Sequence, residues 1–114
     1  MASHRRILLH LEDARRKPLD PAEIYYLEAT GGDTLVRLRG RARLTDVRPL
    51  GELLGPLEPF GFVRIHRNYA VNPDRILEVR RTDDGWEVKL EPPVNRVLAV
   101  SRRSVAALMA AFGE

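Results

Sequence analysis

Residues 62–72, FVRIHRNYAVN, place a polar cluster inside a stretch that otherwise favours a β-strand. Apolar residues on both sides can turn side chains into a core, but His66, Arg67 and Asn68 bring an imidazole, a guanidinium and an amide to one point. A strand that only fills a core has no use for three such groups together. The cluster predicts a functional site, and a metal site, an acid–base site and a nucleic-acid contact are all open at this point.

A second polar pair lies near the end of the chain, where an apolar strand passes into a helical pattern. In LAVSRRSVAALMAAF, residues 98–112, Ser101 is a suitable N-cap, and Gly113 is a suitable stop. Apolar residues repeat at helical spacing between them: Val105, Leu108, Met109 and Phe112. The pattern predicts a C-terminal helix, with Met109 and Phe112 in the core rather than in a ligand pocket.

The rest of the chain alternates short strands with turns, so we expect a mainly β fold. Hairpin turns are predicted at Thr30-Gly31-Gly32-Asp33 and Thr82-Asp83-Asp84-Gly85, because glycine adopts the positive φ that tight hairpins require. The other predicted strands lie at residues 7–11, 24–27, 35–39, 42–45, 76–79, 86–90 and 96–100. Residues 11–17, LEDARRK, are predicted to form a turn.

One short inner helix is predicted within residues 46–57, DVRPLGELLGPL. Asp46 is suited to cap this helix, Pro49 to lie near its first turn, and Gly55-Pro56 to end it. Four leucines then share one face at helical spacing: Leu50, Leu53, Leu54 and Leu57. The expected fold has seven or more short strands, this inner helix and the C-terminal helix.

The length of 114 residues predicts one domain that spans residues 1–114. No apolar run approaches the roughly 20 residues of a membrane span. The start, MASHRR, lacks the apolar core of a signal peptide. The sequence contains no cysteine, which excludes disulfides and thiolate sites. We expect a cytoplasmic protein that does not insert into membranes.

Enzymatic chemistry finds little support in the sequence. His4, His10 and His66 are widely separated, and none has a second ligand at the spacing that metal sites use. The carboxylates of Asp83-Asp84 lie in a predicted hairpin turn, where acidic residues are common for conformational reasons. We therefore expect a protein that is not an enzyme and needs no cofactor or metal.

The placement of arginine points to nucleic acid. Of 19 basic residues, only Lys17 and Lys89 are lysines. The arginine fork matches phosphates and guanine edges, although a GC-rich genome would produce the same bias. Arg102-Arg103 lies at the predicted start of the last helix, where each cation is unfavourable by about 0.3–1 kcal/mol. An anionic partner would offset that cost, and side chains that simply point into water are the alternative.

The two polar motifs together resemble the LytTR family of bacterial DNA-binding domains. FVRIHRNYAVNPDRI, residues 62–76, and LAVSRRSVAALMAAF, residues 98–112, occur in the family's order. IYYLEATGGDTLVRL, residues 24–38, resembles the family's first half, an aromatic strand that ends in Glu-Ala before a loop. The resemblance covers about residues 7–112.

This resemblance implies an elongated fold of layered β-sheets that binds double-stranded DNA through loops rather than through an inserted helix. Arg67 and Arg103 are the implied base-contacting residues. The full implied set of DNA-binding residues is Thr34, Arg64, His66, Arg67, Asn68, Arg102 and Arg103.

Some of these assignments leave a structural alternative open. Asp33 would repel phosphate, so Thr34 or a backbone N–H is expected to serve the first loop. His66 is equally suited to a hydrogen bond that anchors its own loop. Asn68 and Asn72 are expected to shape turns more than to contact bases.

The implied function is a sequence-specific transcriptional regulator that acts on paired half-sites, as a homodimer on DNA or with a regulatory protein partner. The alternative is a small β module that binds a protein partner and has no nucleic-acid function. A weaker alternative is a module for RNA or single strands, for which no exposed aromatic platform is evident. Family members usually carry a receiver or sensor domain, but fewer than two dozen residues precede the first well-matched strand here. We therefore expect either a free-standing regulator or an excised domain.

Overall fold

A computed structural model describes residues 5–40 and 42–114, so His4 and the first three residues of the chain lie outside the described residues. The described residues form ten strands: β1 (Ile7–His10), β2 (Arg16–Leu19), β3 (Ile24–Thr30), β4 (Asp33–Leu38), β5 (Arg43–Asp46), β6 (Val63–His66), β7 (Tyr69–Val71), β8 (Ile76–Thr82), β9 (Gly85–Leu90) and β10 (Val97–Val100). Two short α-helices accompany them, α1 (Leu50–Leu57) and α2 (Val105–Ala110). The expectation of a mainly β fold with two short helices is confirmed.

Antiparallel pairing divides these strands into three sheets. The largest has five strands in the order β5-β4-β3-β7-β6. The others are a three-stranded sheet, β10-β9-β8, and a two-stranded sheet, β1-β2. The molecule measures 44 × 35 × 26 Å along its principal axes, which fits the expected elongated shape.

The five-stranded sheet contributes to two hydrophobic cores. Its Val36 and Ala70 pack with leucines of α1 and with the apolar residues of β1 and β2. Its Ile65 and Val71 pack with the three-stranded sheet and with Leu108 of α2. Each fully buried aliphatic side chain contributes roughly 1.5–3 kcal/mol. The two cores hold the central sheet in place and thereby position the loops at its ends.

Both predicted hairpins are confirmed. Thr30 pairs with Asp33 across the loop Gly31-Gly32, where Gly31 has a φ of +76°. Thr82 pairs with Gly85 across Asp83-Asp84 in the same way. The first hairpin ends at the same side of the five-stranded sheet as the β6–β7 loop, because the Ala29 N–H donates to the Asn68 carbonyl at 2.8 Å.

The prediction of a turn at LEDARRK missed β2. Arg16 to Leu19 form a strand that pairs with β1, opposite residues 7–10. Only Leu19 of this strand is buried, and Pro18 interrupts its backbone donors. Its residues therefore lack the apolar alternation that a sequence pattern can detect.

The inner helix begins later than predicted, and Gly55-Pro56 does not end it. It starts at Leu50 after Pro49, so Asp46 does not cap it, and Pro56 lies inside it rather than beyond it. A proline there removes one N–H from the last turn, but the four predicted leucines are all buried and hold the helix. A 3₁₀ helix, Glu58–Phe60, then continues the chain.

Asp46 instead ends β5 as a buried ion-pair partner. Its carboxylate lies 2.8 Å from Nη2 of Arg48 and accepts the backbone N–H groups of His10 and Arg48 at 2.8 and 2.9 Å. Nη2 of Arg48 also donates to the Leu8 carbonyl at 3.0 Å. The pair therefore joins β1 to the edge of the five-stranded sheet.

The C-terminal helix is shorter than its apolar pattern suggests. Arg102–Ser104 form a 3₁₀ helix before α2, and the Ser101 hydroxyl lies 2.7 Å from that of Ser104 instead of capping a backbone N–H. Leu108 is buried, but Phe112 is 49% exposed, so its assignment to the core is wrong. α2 ends at Ala110, which takes Phe112 off the helical stripe.

Candidate nucleic-acid interface

The polar cluster forms a two-residue loop, Arg67-Asn68, between β6 and β7. His66 and Tyr69 pair across it, and their rings lie 5.6 Å apart. The pairing register shifts between Arg64 and His66, so β6 is irregular just before the loop. Both loop residues are exposed, and the loop therefore presents a guanidinium and an amide to solvent.

The side chains of Arg64 and His66 form hydrogen bonds with the backbone of this loop. Arg64 donates through Nε to the His66 carbonyl at 3.3 Å and through Nη2 to the Arg67 carbonyl. His66 accepts the Asn68 N–H at Nδ1, at 3.1 Å. An accepting Nδ1 carries no proton, so the proton of the neutral ring is on Nε2. The anchoring role left open for His66 is thus supported by a hydrogen bond.

The second predicted motif lies against the first. The Ser101 N–H donates to the Ile65 carbonyl at 2.7 Å, which attaches the start of the Arg102–Ser104 3₁₀ helix to β6. Both Arg102 and Arg103 are exposed. Residues more than thirty positions apart in sequence therefore form one surface.

An open groove of about 810 Å³ separates the two motifs. It is lined by Arg64, His66, Arg67, Ser101, Arg102, Arg103 and Ser104. Five of the seven implied DNA-binding residues therefore meet there. Four arginines around one concave surface create a positive potential that attracts phosphate.

Thr34 does not reach this surface. Its side chain is 0% exposed, and its hydroxyl donates to the Arg48 carbonyl at 2.8 Å. Thr34 pairs with Asp46 of β5, and both side chains are buried. This position contradicts the expectation that the Thr34 side chain contacts DNA. For the first loop, the prediction of a backbone N–H contact remains, with Gly31 and Gly32 exposed at the hairpin tip.

The two asparagines differ in their surroundings. Asn72 is buried, donates to the Ile24 carbonyl at 3.1 Å and accepts the Asp74 N–H at 3.1 Å, so it shapes a turn as predicted. Asn68 is exposed at the loop tip, where its carbonyl accepts the bond from Ala29. Its side-chain amide thus faces solvent beside the groove.

Sequence reasoning missed Arg96, the residue immediately before β10, which joins β3 to β7 next to the groove. Its guanidinium lies over the rings of Tyr26 and Tyr69, 5.2 and 5.6 Å from their centroids. It also donates to the Tyr26 hydroxyl at 2.7 Å and lies 3.3 Å from Glu28. Tyr69 in turn contacts His66. The aromatic strand at residues 24–27 was the available signal, because buried tyrosines need partners for their hydroxyls.

A second cleft, of about 470 Å³, adjoins the groove at Arg102. Asp83 and Asp84 of the β8–β9 loop line it together with Trp86. The positive surface is thus bounded on this side by carboxylates, which restrict where phosphates can lie.

Within residues 5–40 and 42–114, no group of three or more histidine, aspartate or glutamate side chains could hold a metal ion. No helix in that part of the chain is long and apolar enough to cross a membrane.

Comparison with known proteins gives a family and a similar structure. The family model for the LytTr DNA-binding domain matches residues 14–113. A solved LytTr DNA-binding domain from a Bacillus cereus protein, described as a methyl-accepting/DNA response regulator, has 21% sequence identity and a TM-score of 0.76. That similarity covers 98% of this chain and 100% of the other. No curated protein matches the chain. The structural similarity confirms the layered β fold.

Proposed function

The chain belongs to the LytTR family of DNA-binding domains, and from this we propose a transcriptional regulator that recognises double-stranded DNA through loops in the major groove. The family match over residues 14–113 carries the DNA-binding part of this conclusion. The groove formed by the β6–β7 loop and the Arg102–Ser104 helix supports the loop-based part. The proposal needs no cofactor and no catalytic step.

Within this proposal, Arg67 and Arg103 contact bases from opposite sides of the groove. An arginine fork can donate to both O6 and N7 of a guanine, which is the commonest specific contact in the major groove. Both side chains are exposed, so binding would not have to break buried structure. Arg102 is also exposed and is not one of the two implied base-contacting arginines, so we assign it to phosphate.

Selection of bound sites from a random pool of duplexes tests the function. We expect one enriched motif, with the short sequence repeated at a fixed spacing if the protein occupies paired half-sites as a homodimer. A single copy of the motif would keep the DNA function but exclude paired half-sites. Duplexes recovered without any enriched sequence would contradict sequence-specific recognition.

Salt dependence gives a first quantitative prediction. If one bound chain neutralises three phosphates, with Arg102 supplying one of these contacts, the logarithm of affinity should fall with the logarithm of salt at a slope of about −2.7 per bound chain. Affinity would drop roughly 40-fold between 50 and 200 mM salt. Titrations of a labelled duplex at several salt concentrations measure the slope.

Arg43→Ala is the control for this titration. Arg43 pairs with Arg37 at the end of the five-stranded sheet opposite the Gly31-Gly32 hairpin, so its loss should leave the slope unchanged. A flat salt response, or no duplex binding at 50 mM salt, would favour the protein-binding module instead.

A further inference from the structure

We propose that Arg64 and His66 are positioning residues, which aim Arg67 at DNA by gripping one peptide group of the β6–β7 loop. This inference rests on the proposed function, since it assigns how that site acquires its specificity. It moves Arg64 from the implied set of DNA-binding residues to a role within the protein.

The loop has no backbone preference that would fix its own shape. Two-residue hairpin loops favour primed turns, which need positive φ and usually contain glycine. The β3–β4 hairpin meets this rule with Gly31. Arg67-Asn68 contains no glycine, and the described non-glycine residues with positive φ are Asp13, Ala14 and Asn95. No glycine with positive φ therefore fixes the conformation of the Arg67-Asn68 loop, which is held instead by hydrogen bonds from the Arg64 and His66 side chains.

Two side chains impose it on the same peptide group. The carbonyl of the Arg67–Asn68 peptide accepts from Nη2 of Arg64, and the N–H of that peptide donates to Nδ1 of His66. Rotation of this peptide would change ψ of Arg67 and would break both bonds at once. The direction of the Arg67 side chain therefore depends on these two hydrogen bonds.

The neighbouring peptide groups have other support. The Asn68 carbonyl is held by the Ala29 N–H of β3, and Nε of Arg64 holds the His66 carbonyl. Arg64 therefore spans two successive carbonyls with one planar fork. A lysine keeps the positive charge but has a single ammonium in place of that fork. Arg64→Lys consequently separates the loss of the grip from the loss of charge.

The first test compares Arg64→Lys and Arg64→Ala on a preferred and a scrambled duplex. We expect both variants to lose discrimination between the duplexes by roughly fivefold or more, the lower limit of one well-placed arginine–guanine contact. Arg64→Lys should keep the wild-type salt slope and its affinity for the scrambled duplex. Arg43→Ala, the matched arginine control, should keep both discrimination and slope.

A double-mutant cycle then asks whether Arg64 acts through Arg67. In an Arg67→Ala background, Arg64→Lys should cause no further loss of discrimination. Full wild-type discrimination in Arg64→Lys would overturn the inference. So would uniform weakening by Arg64→Ala with a slope reduced by about 0.9, which marks a phosphate contact.

Hydrogen exchange of the free protein tests the grip without DNA. We expect the Asn68 amide to exchange faster in Arg64→Lys and in His66→Leu, while the Val71 amide in β7 stays protected. His66→Asn should restore protection, because asparagine can accept from the N–H two residues later. Unchanged Asn68 exchange in His66→Leu would overturn the inference. If the wild type binds no duplex, the proposed function is contradicted. The exchange experiment would still test whether Arg64 and His66 hold the loop.

Discussion

Asp46→Asn should lower the free energy of unfolding by about 3 kcal/mol at pH 7, near the lower end of the range for breaking a buried ion pair. The Asp46 carboxylate is 0% exposed and accepts from His10 and Arg48. Asparagine has nearly the same shape but no charge, so Arg48 would lose its partner. The Arg48 side chain is 15% exposed and can turn partly to water, which limits the loss. Denaturant unfolding measures it.

The pH dependence of this loss follows from the pKa of Asp46. Burial alone would raise that pKa, but hydrogen bonds from Arg48 and from the His10 N–H outweigh it and lower the pKa below its ordinary value. A lowered carboxyl pKa stabilises the folded state above the unfolded value of about 3.9. The stabilisation disappears as the pH falls through the lower folded-state pKa. The difference between wild type and Asp46→Asn should therefore be full at pH 6–7 and shrink below about pH 4.

Asp84→Asn is the control for both measurements. Asp84 is exposed in the β8–β9 loop, and its neutralisation should change stability by no more than about 0.5 kcal/mol. A difference between wild type and Asp46→Asn that stays constant down to pH 2 would contradict a role for charge. A loss below about 1 kcal/mol at pH 7 would mean that the ion pair is replaceable by neutral hydrogen bonds.

The sequence predicted those elements whose local chemistry agrees with the fold. Gly31 carries the hairpin because its φ is positive, and Leu53 and Leu57 lie on the buried face because helical spacing placed them there. The polar loop at Arg67 was also predictable, since its residues interrupt an apolar strand and stay exposed. In these cases the nearest neighbours in sequence decide the structure.

The errors concern residues whose partners are distant in sequence. Asp46 is a residue type suited to cap a helix, but its carboxylate accepts the backbone N–H of His10, which is distant in sequence. Thr34 follows a loop that the family resemblance assigns to DNA, yet its hydroxyl is buried and donates to the Arg48 carbonyl. The groove itself depends on the bond between Ser101 and Ile65, which no local pattern encodes. Each of these residue types can fill several structural roles, and tertiary contacts determine which role it has in this fold.

Combined loss of Arg67 and Arg103 should have the largest effect on recognition. Each alanine substitution should cost about 1–3 kcal/mol at the preferred site and relax the preference at one base pair. The two residues belong to separate segments, the β6–β7 loop and the Arg102–Ser104 3₁₀ helix, so we expect their losses to add to about 2–6 kcal/mol. That sum is at least roughly a 30-fold loss of affinity for the preferred duplex. Titration of the preferred duplex and of duplexes with single base changes measures both effects.

Arg102→Ala separates base contacts from phosphate contacts in the same groove. It should weaken binding to all duplexes alike and reduce the salt slope by about 0.9, with the preferred sequence unchanged. All three side chains are exposed, so thermal unfolding of each variant should stay within about 0.5 kcal/mol of wild type. A large stability loss in Arg67→Ala would make that residue structural. Uniform weakening by all three variants, with the sequence preference intact, would assign Arg67 and Arg103 to phosphates and move base recognition to another part of the surface.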